Sequence, residues 1–427
     1  MEKINNLQFD KKLNSLKSWL DYLEYISNKV SLDIDKIKLV AKRLNLLKPK
    51  EFVFIVSGTN GKGTTCHVME VLLIKSGYRV GVYSSPHFLS YIERIRIQGK
   101  VLTEEVHVNT FKKIEQKRND ILLTYFEFST LSALYLFKKS NLDVIILEVG
   151  VGGRLDATNI IDADTTIITN IAIDHINLLG KDRTTIGIEK AGIFRPGKLA
   201  IIGENDIPSA ILKIAKLKRI NLLQVNKHWH YCKKNTYWNL YDRYGFLNNL
   251  PFTQVPLPNA ATALISLRAS GFQISTEQIY KNLPKINLPG RFQIVSKYPH
   301  IILDVAHNPN AASYLAYRLE TLKKKGKIYA LIGMLQDKDI KGTVDALTNH
   351  IDYWYCVSLD CPRGAKAEQI TLHLTNSEYF SFADITEAWK EVIRKAKLQD
   401  IILVCGSFIT VAQIMKLISI NKIFAIN

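Results

Sequence analysis

The residues with the clearest chemical meaning form a glycine-rich turn from Gly58 to Thr65, with the sequence GTNGKGTT. An apolar run precedes the turn and a helical pattern follows it, so the turn joins a buried strand to a helix N-terminus. Backbone N–H groups and the helix dipole converge at such a junction and favour a phosphate group. Lys62 adds a charge for the β and γ phosphates, and Thr64 or Thr65 offers a hydroxyl for Mg²⁺. The turn therefore predicts a nucleoside triphosphate site.

The turn departs from the common phosphate-loop pattern at one position, because Gly63 stands where a serine or threonine normally follows the lysine. The structural alternative is a tight strand-to-helix turn that carries an incidental lysine.

Polar residues also follow other apolar runs that we expect to be strands, namely Ser85, Glu148 and His175. In open α/β sheets, ligands bind at the carboxyl ends of the strands. A carboxylate buried at a strand end needs a cation or a hydrogen-bond donor, and magnesium prefers oxygen ligands. Glu148 is therefore a predicted Mg²⁺ ligand. The alternatives are a Glu148 bonded to local backbone N–H groups and a hydrogen-bonded, structural His175.

Asp304 and His307 lie in the sequence DVAHNPN, after a later apolar run. A carboxylate and an imidazole at a strand end could face a nucleotide. In the structural alternative, which can coexist with function, Asn308 and Pro309 stop the strand and Asn310 caps the next helix.

Strands alternate with helices along the chain, which is typical of a mainly parallel, doubly wound α/β sheet. The best boundary is the Pro-Gly punctuation at 288–291, after which a second α/β series begins. We predict a phosphate-loop, ATP-binding domain at 1–287 and a smaller Rossmann-like domain at 288–427, with the active site in the cleft between them. The aromatic segment 228–246 is predicted to be an appended antiparallel hairpin.

Composition favours an ordinary enzyme: 427 residues and 47% hydrophobic content suffice for two cores. The five cysteines are scattered and have no CxxC spacing, so we expect reduced thiols in the cytoplasm. No apolar run is long enough for a membrane, and the N-terminus has no signal region. The formal charge is +18, but the lysines are dispersed, so we expect no nucleic-acid partner. The densest basic run, at 323–327, is predicted to be a helix C-terminus.

Several motifs occur together in a recognisable order: SGTNGKGTT, YSSPH, YFEFST, ILEVGVGGRLDATN, IAIDH, EKAGIF, LPGRF, DVAHNP, IGMLQDKD and GSF. In this respect the chain resembles the folylpolyglutamate synthase family, relatives of the Mur cell-wall ligases. It is most similar to the bifunctional bacterial members. Gly63 agrees with this family's form of the phosphate loop.

The resemblance implies an ATP-dependent amide ligase. ATP would phosphorylate a carboxylate of dihydropteroate or of a reduced folate, and L-glutamate would then attack the acyl phosphate. The implied cofactors are ATP, two Mg²⁺ ions and a monovalent cation such as K⁺. The implied partners are these small-molecule substrates, with no membrane and no nucleic acid, and the chain is expected to be a monomer.

The resemblance also implies roles for individual residues. Those for ATP are Thr59, Asn60, Gly61, Lys62, Asn259, Arg291 and Asp304. Those for metal are Thr64, Ser85, Glu148, His175 and Lys190, where Lys190 matches a lysine that can be carbamylated. Those for dihydropteroate are Thr124, Tyr125, Phe126, Glu127, Leu155, Asp156 and Ala157. His307 would lie near the reaction centre, and 337–339 and Ser407 are guesses for glutamate. From the sequence alone, Lys190 would be a surface lysine.

Three alternatives stay open at this point. A single-activity folylpolyglutamate synthase would extend only reduced folates, and a Mur-like ligase would use another acceptor. A phosphate-loop regulatory or nucleic-acid-binding ATPase, from a different class, would turn over nucleotide without folate or glutamate.

Overall fold

The computed structural model describes residues 13–27, 33–322, 326–375 and 377–421. It divides into two compact units. Unit 1 comprises Met1–Ile171, Asp182–Phe252 and Leu257–Pro284, and unit 2 comprises Ala172–Lys181, Thr253–Pro256 and Lys285–Asn427. The N-terminal sequence and the lysines at 323–325, for which we predicted a helix end, lie outside the described residues.

Unit 1 is built on an eight-stranded sheet. In chain order its strands are β1 (Phe52–Ser57), β2 (Val80–Tyr83), β3 (Ile95–Ile97), β4 (Lys100–Val101), β5 (Val144–Glu148), β6 (Thr165–Ile168), β7 (Leu199–Ile202) and β8 (Asn221–Gln224). Their spatial order is β4–β3–β2–β5–β1–β6–β7–β8. The six strands from β2 to β8 in this order run parallel, whereas β3 and β4 form an antiparallel edge.

Helices cover both faces of this sheet, which explains why the central strand β1 is apolar on both sides. The helices of unit 1 are α1 (Leu16–Ser27), α2 (Ile34–Arg43), α3 (Lys62–Lys75), α4 (Glu104–Arg118), α5 (Tyr125–Lys139), α7 (Arg183–Ala191), α8 (Ser209–Leu217), α9 (Leu257–Ala269) and α10 (Thr276–Asn282). The short helix α6 (Ile176–Leu179) belongs to unit 2.

The segment predicted to be a hairpin forms three antiparallel strands, β9 (Trp229–Lys233), β10 (Trp238–Asp242) and β11 (Gly245–Leu250). The prediction was therefore right about strand direction but missed the third strand.

Unit 2 has a six-stranded sheet in which only the edge strand β12 is antiparallel to its neighbour. Its strands are β12 (Gln293–Lys297), β13 (His300–Leu303), β14 (Ile328–Ile332), β15 (Tyr353–Val357), β16 (Glu378–Phe382) and β17 (Ile401–Cys405), in the spatial order β12–β13–β17–β14–β15–β16. Its further helices are α11 (Pro309–Glu320), α12 (Ile340–Asp345), α13 (Ala367–Thr371), α14 (Ile385–Lys395) and α15 (Phe408–Asn421).

The predicted fold class is confirmed: a mainly parallel α/β unit with a phosphate loop is joined to a smaller parallel unit. None of the helices in the described part of the chain has the length and apolar character needed to cross a bilayer.

Candidate active site

The glycine-rich turn lies between β1 and α3, as predicted. Gly58 and Gly61 have φ angles of +146° and +81°, which favour glycine. A Cβ on Gly58 would lie 1.8 Å from Oγ1 of Thr169, and a Cβ on Gly61 would lie 2.1 Å from Nδ2 of Asn259. The structure thus places Asn259 directly against the turn, and neither glycine can carry a side chain.

Two residues that the sequence analysis missed support the turn from the end of β6. The N–H groups of Thr59 and Asn60 donate to the carbonyl and side-chain oxygens of Asn170 at 3.0 and 2.8 Å. The hydroxyl of Thr169 donates to the carbonyl of Asn60 at 2.6 Å. Thr169 and Asn170 come directly after the apolar residues of β6, and this position at a strand end could have identified them in the sequence.

The turn fits a magnesium-bound triphosphate. Nζ of Lys62 folds over it and donates to the carbonyls of Gly58 and Thr59 at 3.0 and 3.2 Å. The hydroxyls of Thr64 and Thr65 are buried and have no hydrogen-bond partner among the described residues. A buried hydroxyl without a partner is costly, and a metal ion or a phosphate oxygen would satisfy it.

The carboxylate of Glu148 explains the unusual Gly63. Glu148 is the last residue of β5 and is buried, and one of its oxygens accepts a hydrogen bond from the backbone N–H of Ser85 at 3.1 Å. A Cβ on Gly63 would lie 3.3 and 3.4 Å from the two carboxylate oxygens. Three predicted elements of the metal site (Ser85, Glu148 and the turn) are therefore brought together within unit 1.

A largely buried ion pair between Arg96 and Glu70 lies next to Ser84 and Ser85. The Arg96 guanidinium bonds Glu70 at 2.8 Å and the hydroxyl of Ser84 at 2.9 Å, so it anchors the residue before Ser85. Burial alone would raise the pKa of the Glu70 carboxyl, but His67 and Arg96 outweigh it and lower that pKa. Glu70 is therefore held ionised.

The two segments assigned to the acceptor lie against each other. Thr124 and Glu127 cap α5 reciprocally, with backbone-to-side-chain bonds of 2.7 and 3.2 Å, so both are already used structurally. Phe126 packs on Gly150, where a Cβ would lie 2.7 Å from its ring. Asp156 accepts from the N–H of Gly150 at 2.9 Å, and burial raises the pKa of its carboxyl. Of the remaining predicted residues, the structure places Tyr125 half-buried, Ala157 buried and Leu155 exposed.

The interpretation of Lys190 as a surface lysine is wrong. Lys190 lies in α7 and is only 3% exposed, whereas its neighbour Glu189 pairs with Arg154 at 3.0 Å. A Cβ on Gly153 would lie 2.9 Å from the carbonyl oxygen of Lys190, so this end of α7 packs against the loop that follows β5.

In unit 2, the carboxylate of Asp304 accepts from the N–H groups of Phe292 and Ala306, both at 2.8 Å. Burial raises the pKa of the Asp304 carboxyl, although the nearby Arg291 opposes this effect. The Arg291 guanidinium lies 5.0 Å from the ring centroid of Phe408.

The predicted cap of α11 was wrong by two residues. Asn308 is the cap, because its side-chain oxygen accepts from the N–H of Ala311, and Pro309 is the first helical residue. Asn310 lies inside the helix.

A buried ionic cluster in unit 2 centres on Asp174, which the sequence analysis did not single out. Its carboxylate accepts from Nζ of Lys338 at 2.6 Å and from Nδ2 of Asn308 at 3.2 Å, and it lies 3.5 Å from Nε2 of His307. The N–H of the next residue, His175, also donates to it at 2.7 Å. Burial opposes ionisation, but His307 and Lys338 outweigh it and hold the pKa of Asp174 well below its ordinary value.

The other guesses for glutamate ligands have structural partners. Asp337 pairs with Arg363 at 2.6 Å, Asp339 caps α12, and the hydroxyl of Ser407 accepts from the N–H of Thr410 at 3.0 Å. No three His, Cys, Asp or Glu side chains converge as a metal site in the described ranges.

Comparison with protein families identifies the class. Residues 56–241 match the Mur ligase middle domain, and residues 290–408 match the Mur ligase, glutamate ligase domain. The phosphate loop and the two matched domains together define an ATP-dependent, amide-forming ligase.

Individual relatives narrow the class. The chain is 52% identical to the dihydrofolate synthase/folylpolyglutamate synthase of Escherichia coli (strain K12), over 95% of this chain and 96% of the relative. It is similar to the structure of E. coli FolC in complex with DHPP and ADP, with a TM-score of 0.93 and coverage of 96% and 98% of the two chains at 52% identity. It is also similar to the Yersinia pestis bifunctional enzyme complexed with AMPPNP and Mn ion, with a TM-score of 0.91, 50% identity and coverage of 95% and 98%. The chain belongs to the dihydrofolate synthase/folylpolyglutamate synthase family.

Proposed function

We propose that this chain adds L-glutamate both to dihydropteroate, giving dihydrofolate, and to the glutamate tail of reduced folates, and that both reactions use one Mg·ATP site. The observation that carries the proposal is the phosphate loop itself, in which Glu148 lies against Gly63 beside two buried threonine hydroxyls. The family membership supports the choice of substrates.

The residues around the loop are assigned to ATP and to magnesium. Thr59 to Lys62 hold the phosphates, and Asn259, Arg291 and Asp304 contact the rest of the nucleotide. The ADP, AMPPNP and Mn ion in similar structures support the use of a nucleotide and a divalent ion. Mg²⁺ supplies positive charge that screens the phosphates as negative charge moves between them.

We assign the first Mg²⁺ ion to Thr64, Ser85 and Glu148, and a second ion to His175 together with Glu148 and a carbamylated Lys190. The burial of Lys190 supports a role other than solvation, because a lysine is seldom buried without a specific function or partner. We also propose a monovalent cation, such as K⁺, in addition to the two Mg²⁺ ions.

The reaction follows from these positions. A carboxylate oxygen of the acceptor bonds to the γ-phosphorus of ATP as the bond from that phosphorus to the bridging oxygen breaks, and ADP leaves. The amine of glutamate then attacks the acyl carbon, loses a proton, and phosphate leaves with the C–O electron pair. His307 lies near this centre in the proposal. Thr124 to Glu127 and Leu155 to Ala157 hold the acceptor, and residues 288–427 receive glutamate.

The proposal is tested by measuring ADP release and product formation with each acceptor, with and without glutamate. We expect dihydrofolate from dihydropteroate and a diglutamate from tetrahydrofolate, with one ADP released per bond formed. The variant Lys62→Ala should lose both activities by about 10²-fold or more while it stays folded, because it lacks a charge that stabilises the transferred phosphate.

Other results would select other functions. Extension of tetrahydrofolate alone would identify a single-activity folylpolyglutamate synthase. Acceptor-independent ADP release would support a phosphate-loop ATPase of another class.

A further inference from the structure

Arg94 lies at the carboxyl ends of the parallel strands, as does the proposed magnesium site. It ends the short 3₁₀ helix Tyr91–Arg94, directly before β3. Its carbonyl accepts from the N–H of Ser84 at 2.9 Å, and the following N–H, that of Ser85, bonds Glu148. Arg94 therefore belongs to the group of residues around the phosphate loop of unit 1.

The Arg94 side chain is held in a fixed orientation. Its Nε donates to Nδ1 of His87 at 2.8 Å, and its Cζ lies 5.3 and 6.0 Å from the ring centroids of Tyr125 and Tyr91. Because Nδ1 accepts this bond, the lone pair on that nitrogen is used to orient the guanidinium. An arginine held by one hydrogen bond and by aromatic faces loses little further entropy when it binds a planar anion.

This held arginine has no carboxylate counter-ion in the part of the chain that the structure describes. The adjacent Glu93 is unavailable, because its carboxylate accepts from the N–H groups of residues 88–90 at 2.7 to 2.9 Å. Two other arginines of unit 1 differ in this respect, since Arg96 pairs with Glu70 and Arg79 pairs with Asp143. Among the described residues the outer N–H groups of this half-buried guanidinium have no partner, so it is suited to bind an external anion, and a carboxylate matches its planar geometry.

We propose that Arg94 binds a carboxylate of the acceptor. This inference rests on the proposed function, which supplies an anionic acceptor. The acceptor is favoured over ATP because Tyr125, which lies under the guanidinium, precedes Phe126 in the acceptor segment, whereas the phosphates have their own loop. Two sources share this chemistry, namely the aryl carboxylate of dihydropteroate and the tail carboxylates of reduced folates.

The test compares Arg94→Gln and Arg94→Lys with the control Arg79→Gln. Arg79 precedes β2, at the amino ends of the parallel strands and so away from the phosphate loop, and its pair with Asp143 is partly exposed. Acceptor affinity is measured by calorimetry in the presence of Mg²⁺ and AMPPNP, without turnover, and KM values are measured for all substrates. We expect Arg94→Gln to weaken acceptor binding by about 10- to 100-fold and to leave the KM values for ATP and glutamate unchanged. Arg94→Lys should recover part of the lost affinity, because it restores the positive charge but not the paired N–H groups of a guanidinium. The control Arg79→Gln should bind the acceptor as the parent chain does.

A neutral acceptor, in which the carboxylate is replaced by a carboxamide, makes the assignment specific. The parent chain should bind it more weakly than the acid, whereas Arg94→Gln should bind both equally. A loss for dihydropteroate alone assigns its aryl carboxylate, and a loss for tetrahydrofolate alone assigns a tail carboxylate. A loss for both acceptors shows that Arg94 binds the aryl carboxylate of the first and a tail carboxylate of the second. Normal acceptor affinity in a folded Arg94→Gln, or an equal loss of ATP affinity, would overturn the proposal. A failure of the proposed function is distinguishable, because the parent chain would then bind neither acceptor.

Discussion

At Gly63 the chain lacks the hydroxyl that normally follows the phosphate-loop lysine, and the carboxylate oxygens of Glu148 lie 3.3 and 3.4 Å from where a Cβ would be. The next residue, Thr64, carries a buried hydroxyl without a partner among the described residues. We infer that the metal-binding hydroxyl has moved by one residue and that the vacated position lets a carboxylate from β5 approach the turn. The missing side chain of Gly63 thus allows the end of β5 to lie close to the phosphate loop.

This reasoning predicts opposite effects for Gly63→Ala on stability and on activity. Gly63 is the second residue of α3, so alanine should favour the helix by up to about 1 kcal/mol. Its Cβ would lie 3.3 Å from a carboxylate oxygen of Glu148, which would have to move by a few tenths of an ångström. We expect an unchanged or higher melting temperature and a half-saturating magnesium concentration raised about 10-fold, measured by magnesium titration of ligation. A fall in melting temperature with unchanged magnesium dependence would contradict this account.

Residues were predictable from the sequence where a local pattern determined them. The phosphate loop, Ser85 and Glu148 each follow an apolar run, and the ends of parallel strands meet at one edge. Lys190 and Asp174 were different. The partners of Asp174 are 134 and 164 residues away along the chain, and the burial of Lys190 depends on the packing of α7 against a distant loop. Neither contact leaves a local trace in the sequence.

At the scale of elements, Asp174 attaches the segment Ala172–Lys181 to the strand ends of unit 2. This segment follows β6 in the chain but packs with unit 2, where Lys338 and Asn308 bond its carboxylate. His175, the next residue, has a φ angle of +51°, so its backbone is in a region that few residues adopt without support. The cluster therefore fixes the position of a proposed metal ligand.

Asp174→Asn should be strongly destabilising, because it leaves the Lys338 ammonium buried without an opposite charge. Removing one partner of a buried pair costs about 3–5 kcal/mol. The control is Asp337→Asn, because Asp337 pairs with an arginine whose side chain is 57% exposed, and such pairs contribute about 0–1 kcal/mol. Thermal melting of both variants provides the comparison. Equal shifts in melting temperature would show that the Asp174 cluster is no stronger than a surface pair.

Element types were predicted well where burial was continuous, as in β1 and β5, which the sequence shows as apolar runs. The edge strand β16 was missed. Four of its five residues are exposed, so its sequence EYFSF does not alternate between buried and exposed positions. The third strand beside the predicted hairpin was missed for a similar reason, since β11 contains two asparagines. Edge strands are set by pairing rather than by burial, and pairing is not local.

For the whole molecule, the distribution of buried charge matters more than the net charge of +18. The side chains of Arg96 and Lys338 are 19% and 6% exposed, and each of them pairs with a carboxylate, that of Glu70 and that of Asp174. His107 is an exception. It is fully buried in α4, its ring packs edge-on against Tyr91 at 5.3 Å, and neither ring nitrogen has a hydrogen-bond partner among the described residues.

This burial makes the stability of the chain depend on pH. Burial lowers the pKa of His107 from 6.5 to about 4, so between these values the unfolded chain binds a proton that the folded chain does not. The resulting stability is complete above pH 6.5 and is lost as the pH falls towards 4, by up to about 3 kcal/mol. Melting temperatures measured from pH 7 to pH 4 should therefore fall, and the melting temperature of His107→Phe, which keeps a ring beside Tyr91, should fall less steeply.

The exposed His230 provides the control, since the melting temperature of His230→Gln should fall with pH as steeply as that of the parent chain. His87, whose pKa burial and the nearby Arg94 lower to about 4, should leave a residual slope in His107→Phe, and removing both histidines should flatten it further. A parent-like slope in His107→Phe would show that the ring is solvated in solution and does not resist protonation.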